Sequence, residues 1–148
     1  MKKITLAVGI LLLSFVLAGC AGKNMKNPRL ANIGNGICQD TVSGQMWQIE
    51  KSRYAKSFEE ANAVIAELNR TTGYTDWRLP TVSELFDLNY VFDLHQNGEC
   101  TLDREGAYWS GDKDGEGIVG AWEISADQCD PQRKYTPGAK GFVRAVRP

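Results

Sequence analysis

Asp112, Asp114, Glu116, Gly117 and Glu123 stand at offsets 1, 3, 5, 6 and 12 of one short acidic stretch. That is the spacing of an EF-hand calcium loop, in which a hard cation takes about six to eight oxygens and a glycine permits the sharp turn. Glu at offset 5 departs from the usual Asp or Asn, and the flanks Tyr108-Trp109-Ser110 and Ala121-Trp122 read as strands where that motif has helices. The stretch is read first as an exposed acidic hairpin loop, with Ca2+ as the alternative and no other cofactor expected.

A second set is polar and mixed in sign. Arg78 and Glu84 lie six residues apart across a Pro turn and a helix start, so the carboxylate can accept from Arg78 or from the orphan amides of the helix N-terminus. Alternation along the last segment puts Phe142, Arg144 and Val146 on one side, so a buried Arg144 needs a carboxylate such as Asp76 or Glu84. Asp76, Arg78, Glu84 and Arg144 are therefore expected to form a structural polar network rather than a catalytic set.

Residues 101–130 carry eight acidic and two basic side chains, while 131–148 carry Arg133, Lys134, Lys140, Arg144 and Arg147 and no acid. The basic block could serve anionic polymers, with Arg133, Lys134 and Lys140 as contacts; the alternative is that the blocks face each other or stay solvated. Of the four tryptophans, most are expected in the core, and Trp109 and Trp122 are the candidates for stacking on a ligand.

The elements that must place these groups are punctuated clearly. Ser57 and Glu60 read as a capping box opening a helix in which Phe58, Ala61, Ile65 and Leu68 recur at helical spacing until Thr71-Thr72-Gly73. Thr81 and Glu84 repeat the arrangement after Pro80 and open a second helix to about Tyr90. Strands are expected at Ile37–Thr41 and Gln45–Ile49 around Ser43-Gly44, then at 107–110, 121–125 and 141–147.

The chain opens with a different pattern. Lys2 and Lys3 precede an apolar run from Ile4 to Leu17 and the small pair Ala18-Gly19, which is the layout of a secretory signal peptide at 1–19. The run is shorter than the ~20 residues needed to span hydrocarbon. Leu17-Ala18-Gly19-Cys20 resembles the bacterial lipobox, which implies cleavage before Cys20 and acylation there, a durable membrane anchor when more than one chain enters the bilayer. Residues 20–36, Asn- and Gly-rich, are expected to be the lipidated Cys and a flexible tether, and 37–148 one domain. Ala21 favours an outer-membrane destination.

With Cys20 lipidated, Cys38, Cys100 and Cys129 remain in a disulfide-permissive compartment, and Cys100 with Cys129 is the expected pair. Zinc is unattractive, since the cysteines lack close pairs and His95 is the single histidine. Without Lys2 and Lys3 the chain holds 15 basic against 18 acidic side chains, so no polycation is offered and nucleic acid is excluded as a partner.

Gly44-Gln45-Met46-Trp47-Gln48, Gly73-Tyr74-Thr75-Asp76-Trp77-Arg78-Leu79-Pro80-Thr81, Tyr108-Trp109-Ser110, Ala121-Trp122 and Val143-Arg144-Ala145-Val146-Arg147 resemble, in order, the motifs of the Lcl C-terminal domain family. It is named for a collagen-like adhesin and is similar to formylglycine-generating and C-type-lectin-like proteins. The resemblance implies an α+β, C-type-lectin-like domain with two helices and a twisted, loop-rich antiparallel sheet. Many relatives have a Cys where this chain has Ala145.

Three function classes follow. The first is a surface or periplasmic lipoprotein acting as a non-catalytic binding or adhesion module for glycans or anionic polymers. The second is a structural subunit or protein partner in an envelope complex. The third, a catalyst like the formylglycine-generating enzymes, needs a reactive or metal-binding cysteine arrangement that scattered cysteines and a lone His95 do not suggest.

Overall fold

Two helix starts carry the best-defined local chemistry. Helix α1 spans Phe58–Thr71, with the Ser57 hydroxyl accepting from the Glu60 amide. Helix α2 spans Val82–Asp93 and has both halves of the capping box, Thr81 side chain to Glu84 amide and Glu84 side chain to Thr81 amide. In α1 the box is displaced by one residue, because the Glu60 carboxylate accepts from the Lys56 amide. The second helix runs past the expected Tyr90, since no helix breaker intervenes before Leu94.

The computed structural model describes residues 28–112, 116–124 and 132–148. The expected signal segment, Cys20, the start of the tether, Asp114 and Cys129 lie outside the described residues. Among those described, no helix is long and apolar enough to cross a membrane.

The strands form two sheets, which makes the domain α+β as expected. One sheet has the order β1-β2-β3-β7, from β1 (Leu30–Gly34), β2 (Ile37–Asp40), β3 (Met46–Gln48) and β7 (Val146–Arg147). All its pairings are antiparallel, with Cys38 opposite Trp47 and Trp47 opposite Val146. The second sheet has the order β4-β5-β6, from β4 (Tyr108–Ser110), β5 (Ile118–Ile124) and β6 (Arg133–Pro137), again antiparallel. Phe142 joins the two, its carbonyl accepting from the Trp109 amide of β4 while its chain leads into β7. Only Val146–Arg147 of the expected 141–147 strand enters a ladder, because Arg144 turns inward and the backbone before it bonds to Ser52 and Ala55.

Residues 30–34, expected in the tether, are the edge strand β1. Leu30 is 1% exposed, and Arg29 just before it grips buried Asp40 with both oxygens. A short Asn/Gly-rich segment carries too little pattern to reveal a strand that depends on its neighbour for register.

The disulfide is also corrected. Cys38 of β2 is bonded to Cys100, in the loop after α2, and both are fully buried, so the expected Cys100–Cys129 bridge is not formed. The sequence around Cys100 is polar and loop-like. The Asn97 side chain nevertheless caps the Cys100 carbonyl, and the bridge lies in the core cluster that holds Leu30 and Trp47.

Candidate functional site

Arg78 and Glu84 meet as the spacing predicts. The guanidinium donates to both carboxylate oxygens at 2.8 and 2.6 Å, the Thr81 amide adds 2.7 Å, and the Gln45 amide reaches across from the β2–β3 turn at 2.6 Å. Burial alone would raise the Glu84 carboxyl, but Arg78 and the Thr81 amide, helped by Gln45, outweigh it and hold it at about 2. Every oxygen is thus committed to scaffold contacts.

Asp76 and Arg144 are not brought into that cluster. Asp76 accepts from Nε and Nη2 of Arg147, at 2.6 and 2.8 Å, and the bond to Arg147 holds the Asp76 carboxyl below its ordinary range. The Arg147 guanidinium also lies over the Tyr74 ring, 4.1 Å from its centroid. Arg144, 1% exposed, has no carboxylate partner among the described residues. Its guanidinium donates to the carbonyls of Gln48, Ile49 and Asp103 and to the Tyr108 hydroxyl. The expectation that a buried Arg144 requires Asp76 or Glu84 is overturned, because the carbonyls of Gln48 and Ile49 at the end of β3, with that of Asp103, accept from both Nη groups of the fork.

The proposed ligand contacts also separate. Trp109 is a core residue, 7% exposed with Nε1 donating to the Ala55 carbonyl, and offers no ring to a ligand. Trp122 is half-buried between Phe86 and Tyr135. Arg133 is largely consumed by Asp93, which it grips through Nε and Nη2, while Arg104 takes the same carboxylate at 3.2 Å. Burial works to raise the Asp93 carboxyl, and the two guanidiniums together bring it below its ordinary range. Lys134 is exposed on β6, opposite Glu123 in register. Lys140 sits apart, its Nζ 5.7 Å from the centre of the Tyr54 ring. Arg133, Lys134 and Lys140 therefore do not make one basic patch.

Trp122 and Arg133 do share a place. With Arg104, Glu123 and Thr136 they line an open cleft of about 640 Å³ between β5–β6 and the 104–107 segment. The indole Nε1 of Trp122 and the Tyr135 hydroxyl are buried without partners among the described residues. Burial, together with the Asp112 charge, raises the Tyr135 hydroxyl. Tyr135 lies over Gly120, where an added Cβ would come within 2.4 Å of the ring.

On either side of the acidic stretch β4 and β5 pair antiparallel, in line with its strand-like flanks. Asp112 accepts from the Val82 amide, at the N-terminus of α2, and so acts as a remote helix cap. Glu123 is carried to the far end of β5, about 3.3 Å per residue away from the hairpin end at Ile118. The strand thus keeps the first and last members of the calcium-like pattern apart.

One feature had no clear signal in the sequence. The β1–β2 turn, the chain after β3 and the C-terminal end of α1 enclose a cavity of about 520 Å³. Ile37, Leu68, Tyr74 and Trp77 give it apolar walls, and Asn35, Gln48, Glu50 and Thr72 are polar members. Its residues come from three separate stretches, so only the fold assembles it.

The model of the Lcl C-terminal domain family matches residues 36–147. No curated protein and no solved structure matches the chain.

Proposed function

The chain belongs to the Lcl C-terminal domain family, and from that premise we propose that it is a lipoprotein whose domain is a non-catalytic binding or adhesion module on the cell envelope. The family match, covering residues 36–147, carries this reading. The signal-like start and the lipobox-like Leu17-Ala18-Gly19-Cys20 support membrane attachment through Cys20, in the outer membrane given Ala21. Glycans or anionic polymers are the proposed ligands. The cleft beside Trp122 offers an aromatic ring for a sugar face and two guanidiniums that share one carboxylate as donors to an acidic substituent, with Glu105 and Glu123 also in its lining as acceptors for hydroxyls.

A protein partner in the envelope is the second reading. Tyr90 and Leu94, four residues apart at the end of α2, are 49% and 43% exposed, and Ile124, on the same face of β5 as Trp122, is 55% exposed. Apolar side chains left in solvent on neighbouring elements suit a macromolecular contact.

The test is a glycan-array and heparin-retention measurement on the full chain, with calcium and with chelator, at low and physiological salt. Saturable retention that falls at least tenfold in Arg104→Ala and Trp122→Ala, and weakens with salt, supports the anionic-ligand reading. Loss in chelator brings the acidic hairpin back as a metal site. Absence of retention in every condition overturns ligand capture through glycans and leaves the protein-partner reading.

A further inference from the structure

We propose that the cavity at the C-terminal end of α1 is a second site, built for a small cyclic organic amine in its protonated form. It is separate from the Trp122 cleft and independent of the glycan reading.

The shape comes from three elements that meet without filling the space between them. Ile37 at the start of β2 is 7% exposed and Trp77 4% exposed, so the floor is fixed by the core behind it. Leu68 and Tyr74, half-buried, stand on either side of the α1 terminus. Tyr74 meets Trp77 edge-on, with centroids 5.9 Å apart and planes at 86°. Trp77 is locked there because its Nε1 donates to the Thr72 hydroxyl at 3.1 Å and its backbone is bonded in both directions by the Asn69 side chain. A preformed cavity of about 520 Å³ with rigid aromatic walls has ample room for a ring of six or so heavy atoms.

The sign of the charge comes from the rim. Leu68, Thr72 and Gly73 line the cavity at the end of α1, so the negative end of that helix dipole is directed there. Glu50 adds a full carboxylate, and it has no cation or hydrogen-bond partner among the described residues. The nearby Arg147 is neutralised by Asp76 and lies against Tyr74. Lys51, next to Glu50 in the chain, is turned away to Asp103. The side-chain amides of Asn35 and Gln48 likewise have no partner among the described residues and can accept the remaining N–H groups of an ammonium. An anion meets two negative sources here and a neutral ring forgoes the charge-assisted bond, so a protonated amine on a ring uses the whole site.

The indole Nε1–H of Trp77, bonded to Thr72 in the cavity lining, gives a resonance that reports on this cavity and is assigned by its disappearance in Trp77→Phe. The full chain is titrated at neutral pH with three probes of one size: cyclohexylamine, cyclohexanol and cyclohexanecarboxylate. Cyclohexylamine is expected to move that resonance saturably, cyclohexanol to bind at least tenfold more weakly, and the carboxylate to leave it in place. Glu50→Gln is expected to weaken the amine at least tenfold, while Glu59→Gln, the same charge change at the other end of α1, leaves it unaltered. A glucosamine arm distinguishes a sugar ring, if it binds more tightly than cyclohexylamine, from a hydrocarbon ring, if it binds more weakly. The proposal is overturned if the Trp77 resonance responds to none of the probes, if all three move it alike, or if Glu50→Gln binds as the parent does.

Discussion

The two sheets are held together in opposite ways. The β1-β2-β3-β7 sheet joins the first described strand to the last, and its closures are long-range: the Cys38–Cys100 bridge, Arg147 on Asp76, and Arg144 inside its carbonyl cage. The β4-β5-β6 sheet is built from consecutive strands and is pinned to α2 through Asp93–Arg133 and the Phe86–Trp122 contact. It also keeps two buried polar atoms without partners among the described residues. The first arrangement suits a frame; the second leaves a more adaptable surface, and the Trp122 cleft lies on that surface.

Breaking the frame at its covalent link has the largest expected effect. The bridge closes a separation of 62 residues, which in the chain-entropy account contributes about 4 kcal/mol. Cys38→Ala/Cys100→Ala is therefore expected to lower the denaturant midpoint sharply, read by urea unfolding followed by tryptophan fluorescence. Next comes Arg144→Met, which keeps the bulk but strands carbonyls of Gln48, Ile49 and Asp103 in the core and is expected to cost about 3 kcal/mol in the same assay.

The third effect is a pH dependence. Glu84 has a folded-state pKa of about 2 against an ordinary 4.5, so its contribution is complete above about 4.5 and is lost as pH falls toward 2. With allowance for solvent screening that contribution is about 1–2 kcal/mol. Urea midpoints measured between pH 6 and 2 are expected to drop across that window in the parent and to drop less in Glu84→Gln. The smallest effect sharpens the contrast between the sheets. Asp93→Asn is expected to reduce hydrogen-exchange protection in β6 by about 1 kcal/mol, leaving β2 and β3 unchanged.

What the sequence discloses follows the range of the interactions. Both helix starts and the Arg78–Glu84 pair rest on residues within six positions of each other, and their types announce the bond. The β4–β5 hairpin was legible from its strand-like flanks. The partner of Cys100, the strand at Leu30 and the cage around Arg144 depend on which distant backbone arrives alongside, and no spacing encodes that. The candidate contacts divide in the same way. Trp122 and Arg133 share a cleft because they stand on paired strands, whereas Trp109 is drawn into the core by the carbonyl of Ala55, far away in the chain.

We propose that the Asp76–Thr81 block and the Arg144 cage are frame, and that ligand capture belongs to the surface of the other sheet. The most direct test measures thermal midpoint and heparin retention side by side for Arg78→Met, Arg144→Met, Arg104→Ala and Trp122→Ala. The account predicts lower midpoints with parent-like retention for the first two, assayed well below their midpoints, and near-parent midpoints with weakened retention for the last two. Loss of retention in Arg78→Met at an unchanged midpoint would contradict it, since the block would then be touching the ligand.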